Sequence, residues 1–152
     1  MTALLAIDPG TTHSGWVVVH DGAVIESGNS ENHEVLSMLS WRYTLDIAIE
    51  RFEARGMAIG DESVQTILWT GRFIQAASPR CVRLVKRSAV KSHLCGSQRA
   101  KDTHVRTALL DKFGPGKAEA VGTVKKPGPL YGVKSHAWAA LAVAVTALET
   151  KP

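Results

Sequence analysis

The sequence predicts an α/β domain that opens with an antiparallel meander and continues with strands separated by helices. Three observations carry this. The apolar run Leu4-Leu5-Ala6-Ile7 is closed by Asp8-Pro9-Gly10, as a buried strand is when it meets a turn. Two further β-rich runs flank Asp21-Gly22 at hairpin spacing. Beyond them, short apolar runs alternate with stretches of helical period, the pattern of strands joined by helices. With 152 residues, 45% hydrophobic and 21% charged, the chain is expected to form one domain over residues 1–152 around a single core, which excludes a disordered or fibrous protein.

Each element has its own signal. Gly15 to His20 is a β-branched run, Asp21-Gly22 suits a type I′ turn, and Ala23 to Ser27 supplies the returning strand. Ser30 can cap a helix whose first turn carries Glu31 and Glu34, suited to the helix dipole, with Val35, Leu36 and Leu39 on its buried side. Leu45 to Glu50 is a second strand ending in an acid, followed by a polar stretch from Arg51 to Gly60. Asp61 begins the next helix, with Val64, Ile67, Leu68 and Ile74 on one face and Trp69 and Phe73 on a neighbouring stripe. Core packing is expected for the aromatics, and the surplus apolar surface of so rich a helix would suit a dimer interface.

Ser78-Pro79 breaks that helix, and Cys81 to Val85 reads as a strand leading into Lys86-Arg87. Ser88 caps a short helix that Gly96 ends, and another helix runs from about Asp102 to Phe113, stopped by Gly114. Gly114 to Lys134 is rich in Gly and Pro, carries Lys117, Lys125, Lys126 and Lys134, and shows no period. It is expected to be a mobile basic loop, either a solvated connector or a segment that orders against phosphate. Ser135 is the expected cap of a final helix reaching Glu149, apolar almost all round from Ala139 to Val145 and therefore buried against the sheet.

The formal charge of +4 and a pI near 9.3 make the surface modestly basic, compatible with an anionic partner such as nucleic acid. Cys81 and Cys95 lack the paired spacing of a zinc site or a disulfide scaffold; His93, Cys95 and His104 could be imagined as ligands, but gaps of this kind arise easily by chance, so no metal site is expected there. No leader pattern or membrane-length apolar run is present, so a cytoplasmic protein is expected.

Two strands ending in acids, Asp8 and Glu50, would lie side by side if the second ran parallel to the first. Paired carboxylates repel unless a positive charge sits between them, and a hard cation such as magnesium supplies it while keeping waters for chemistry. Asp8 alone would serve equally as a turn aspartate. His136 is the third candidate, although a histidine there also suits the capping region or the surface.

Four blocks carry a resemblance. Ala6-Ile7-Asp8-Pro9-Gly10 with Ser14-Gly15, Ala48-Ile49-Glu50, Val90-Lys91 through Gly96 to Ala100-Lys101, and His136-Ala137-Trp138-Ala139-Ala140-Leu141-Ala142-Val143-Ala144 resemble the successive motifs of the RuvC-like Holliday-junction resolvases, most of all their phage-encoded branch. The resemblance implies an RNase H-like fold, a mixed five-stranded sheet with helices on both faces, working as a homodimer on four-way junctions or other branched DNA. It implies metal ligands at Asp8, Glu50 and His136, with two Mg2+ ions bridged by Asp8, Mn2+ as a substitute, and Lys91 and Lys101 offsetting phosphate charge. Phe52 lies close to, but out of register with, a junction-probing aromatic. Arg83, Lys86, Arg87 and the long loop would extend the DNA surface.

One position departs from the pattern. Ala139 stands where a second helical ligand is expected, one turn beyond His136, and alanine cannot bind metal. The alternative to a nuclease is therefore a catalytically weakened junction-binding protein. Asp8-Pro9-Gly10-Thr11-Thr12 also resembles the first phosphate loop of actin-like ATPases and sugar kinases, but the second phosphate loop is missing.

Overall fold

β1 (Leu4–Asp8) is apolar on both faces because helices cover it on both sides. Leu5 and Ile7 pack into one layer while Leu4 and Ala6 pack into the other. The computed structural model describes residues 3–42 and 45–152. β2 (His13–His20) and β3 (Ala23–Glu31) form the meander, β4 (Asp46–Arg51) and β5 (Val82–Lys86) the parallel half, in the order β3-β2-β1-β4-β5. β1, β2 and β3 pair antiparallel, whereas β1–β4 and β4–β5 are parallel. The β2–β3 turn holds Asp21 at φ 50° and Gly22 at φ 77°, the left-handed pair that a type I′ hairpin requires.

β3 runs to Glu31, past the expected stop at Ser27, because β2 begins at His13 and offers it a partner along its whole length. Ser30 therefore lies in the strand and is no helix cap; its hydroxyl accepts from Trp16 Nε1 at 3.0 Å. The helix that follows, α1 (Asn32–Trp41), buries Val35, Met38 and Leu39 against one face of the sheet.

α2 (Asp61–Ala77) packs against α1, and its buried face is Thr70, Phe73 and Ala77, not the expected Val64, Ile67 and Leu68. Those three side chains are 42%, 40% and 56% exposed. The aromatic stripe prevails because Phe73 is completely buried, Trp69 one turn earlier packs beside it, and the His33 ring of α1 meets Trp69 edge-on at 5.1 Å. Ile74 is partly buried at the margin of this stripe.

The opposite face carries α3 (Arg87–Cys95), α4 (Asp102–Phe113), α5 (Lys117–Ala120) and α6 (Ala137–Glu149). Ser88 lies inside α3, where its N–H and hydroxyl both donate to the Glu53 carboxylate, at 2.8 and 3.0 Å. Gly114 to Lys134 is folded and not the mobile loop its composition suggests. It contains α5, its backbone is tied by Gly128 N–H to the Val121 carbonyl and Leu130 N–H to the Ala120 carbonyl, and it plants Ala120 and Leu130 in the core. Isolated anchors of this kind leave no period to read; the four lysines all remain exposed.

α6 is buried as expected, but it starts later. Ser135 is left-handed at φ 51° and is not its cap, so His136 occupies the N-cap position. The helix start presses on β2: a Cβ at Gly15 would stand 2.3 Å from the carbonyl carbon and oxygen of His136, so only glycine permits this approach.

Candidate active site

In the parallel β1–β4 ladder Leu4 lies opposite Asp46 and Ile7 opposite Ile49, so the next residues of the two strands, Asp8 and Glu50, are delivered to one place. The side chains are only 13% and 17% exposed and lie within reach of each other. Burial pushes Glu50 up to about 8, and the bond to Asp8 and that residue's charge add to the rise, against the pull of Arg87. Burial raises Asp8 as well, while the Glu50 bond and Arg87 oppose the rise.

His136 completes the expected trio from the other side, its Nδ1 3.4 Å from Asp8 Oδ2 and its side chain 69% exposed. Asp8 meets each of the others. Among the described residues, however, no three His, Cys, Asp or Glu side chains gather round one point as a finished metal site. The donor set suits a hard divalent cation all the same: two buried acids whose like charges oppose each other, an imidazole, and no thiol.

The turn after Asp8 is held by a buried polar knot. Ser14 Oγ donates to Asn32 Oδ1 at 2.6 Å and accepts from Gly10 N–H, while Asn32 Nδ2 donates to the Gly10 carbonyl at 3.0 Å. Ser14 and Asn32 are each 1% exposed, so every one of these bonds replaces water that cannot reach them.

Two residues join the site that the sequence had not assigned to it. Arg87 Nη1 lies 3.4 Å from Glu50 Oε1, and Nη2 donates to Asp102 Oδ1 at the start of α4. Arg87, expected on the DNA surface, is thus turned inward; Asp102 had been legible only as a helix-starting acid. Lys91 Nζ lies 3.9 Å from the same Asp102 oxygen, which places it at the edge of the cluster. Lys101 is exposed at the N-cap of α4, where its N–H donates to His104 Nδ1 at 3.1 Å; among the described residues no ion pair joins it to the carboxylates.

Arg83 also departs from the expected DNA surface. Its guanidinium donates to the carbonyls of Ala147, Thr150 and Lys151 and to Thr150 Oγ1, capping the end of α6. His93 is bonded to Glu149 at 2.8 Å, and His104 accepts from the Lys101 N–H. Two clefts flank His136. One, of about 330 Å³, is lined by Arg87, Asp102, Arg106 and Ala139. The other, of about 550 Å³, is lined by Gly10, Thr12, His13 and Phe52, which brings Phe52 to the rim of the site.

No family model matches the chain, and no curated protein matches it. Solved structures do. The Thermus thermophilus RuvC structure aligns with a TM-score of 0.62 at 21% identity, covering 95% of this chain and 92% of that one. T. thermophilus RuvC in complex with Holliday junction substrate aligns with a TM-score of 0.65 at 22% identity, covering 96% and 92%. With its five-stranded mixed sheet between two layers of helices, the chain has the RuvC-like form of the RNase H-like fold.

Proposed function

We propose that this chain is a structure-selective endonuclease that resolves Holliday junctions or related branched DNA by metal-dependent phosphodiester hydrolysis. One observation carries the reading: Asp8 and Glu50 stand side by side near the carboxyl ends of neighbouring parallel strands, a buried pair of acids with His136 beside Asp8, on a fold shared with RuvC bound to a junction. Asp8, Glu50 and His136 are the residues that would hold Mg2+, or Mn2+ in its place. Such an ion, when bound, lowers the pKa of water and offsets phosphate charge.

The chain's own groups supply the rest. The Ser14–Asn32 knot fixes the turn that follows Asp8, Lys91 adds positive charge beside the cluster, and the exposed lysines of the Gly114–Lys134 segment, with Lys101 and Lys86, attract the backbone. Contacts of this type read shape more than sequence. Two symmetric cuts require two sites, and the exposed Val64, Ile67 and Leu68 of α2 form the apolar face on which a second copy would pair. A phage-type member of the family acting in the cytoplasm is the setting that accords with the motifs, and among the described residues no helix is long and apolar enough to cross a membrane.

The test is cleavage of a synthetic four-way junction in Mg2+, set against flap, fork and duplex substrates. Nicking that is confined to branched DNA and lost in Glu50→Gln supports the reading; cutting that survives the substitution removes Glu50 from the centre. Ala139 favours a second reading, a junction-binding protein without catalysis, because it brings no donor to a cleft that opens beside His136. Tight junction binding without cleavage, in Mg2+ or Mn2+, would select that alternative, with Ala139→Asp as the substitution to restore cutting.

A further inference from the structure

Arg87 is held in place as few surface arginines are. Its side chain is 25% exposed, one arm of the guanidinium faces Glu50 at 3.4 Å, and the other is bonded to Asp102, which Lys91 approaches at 3.9 Å. A guanidinium stays charged at every relevant pH, and its planar fork fixes where that charge sits. One of the two buried acids thus already has a permanent cation as neighbour.

The donors available to metal are few. Asp8 and Glu50 bring at most two negative charges, His136 brings none, and the position one turn along α6 is an alanine facing a cleft. Two divalent ions would add four positive charges beside Arg87, and the further carboxylate of the cluster, Asp102, is already bonded to that guanidinium and approached by Lys91. A single ion that keeps several of its waters needs only one or two carboxylates, as magnesium sites commonly show.

We propose that Arg87 takes the place of a second cation at this centre, so that the chain binds one divalent ion instead of two. Asp102 acts as a positioning residue that holds the guanidinium over Glu50. The inference rests on the metal-dependent reading given above and concerns the composition of that same site.

Counting Mn2+ on the intact protein tests it, by the loss of the free-ion electron paramagnetic resonance signal during titration, without DNA and independent of cleavage. The unaltered chain is expected to take up one ion per chain, Arg87→Lys one, and Arg87→Ala two. Should Arg87→Ala fail to fold by circular dichroism, Arg87→Gln is counted in its place, since it keeps hydrogen bonding and drops the charge. Two ions in the unaltered chain, both lost in Glu50→Gln, would overturn the role of Arg87 and leave the metal reading standing. One ion in every Arg87 variant would also overturn it. No bound ion in any of these proteins would overturn the metal reading and this inference together.

Discussion

Ile7 pairs with Ile49 across the parallel β1–β4 ladder, and the next residue of each strand is an acid that water barely reaches. The register of two isoleucines thereby sets the spacing of Asp8 and Glu50, and the features below follow from holding two carboxylates there.

Glu50→Gln keeps the volume but removes an anionic oxygen. Junction cleavage is expected to fall by at least about 100-fold, the lower end of the range for loss of a group at a reacting centre. Single-turnover assays in Mg2+ measure this, and unchanged circular dichroism would assign the loss to chemistry.

The metal-free protein is expected to become less stable as pH rises through the neutral range. Glu50 titrates near 4.5 when unfolded and at about 8 when folded, so its contribution is fully present below the unfolded value and is lost as pH climbs through the folded one. Asp8, raised in the same direction, adds to the trend. Urea midpoints in chelator at about pH 5 and about pH 8.5 measure the slope, and Glu50→Gln should flatten it. Equal slopes in the two proteins would remove Glu50 as its source.

Gly15→Ala inserts a methyl group where the backbone of His136 already stands at 2.3 Å. A cost of about 1–3 kcal/mol is expected as β2 and the start of α6 move apart. Thermal denaturation measures it, and because His136 moves with the helix, cleavage should fall more than stability alone accounts for.

Asn32→Leu leaves the Ser14 hydroxyl and the Gly10 carbonyl buried without Asn32 as their partner. About 1–3 kcal/mol of stability should be lost. Slower hydrogen exchange at Gly10 in the substituted protein than in the original would contradict the role given to this knot.

Leu68→Glu and Ile67→Glu place charges on a face that the single chain leaves 56% and 40% exposed. Folding should be unaffected, whereas a dimer seen by sedimentation should dissociate. A dimer that survives both changes uses another surface.

The strands, their order of appearance and the two acids were legible because they depend on neighbours in the chain: a run of apolar residues, a turn pair, an acid at the end. Side-chain roles that depend on distant partners were not. Arg87 looked like one more surface cation beside Lys86, and only its meeting with Asp102, fifteen positions on, turns it inward. Asn32 carried no signal of its own in the sequence, because its partners lie in the turn after Asp8. On α2 the periodicity offered two apolar stripes of similar quality, and the choice between them was made by His33 and the sheet. Between Gly114 and Lys134, single anchors such as Leu130 hold the backbone without any repeating pattern.

The packing of Gly15 against His136 also bears on biosynthesis. A chain emerging from the ribosome exposes Asp8 and Glu50 early, but His136 takes its place only after α6 has been made and has docked on β2. Any nascent or truncated product ending before that helix carries an incomplete set of candidate ligands.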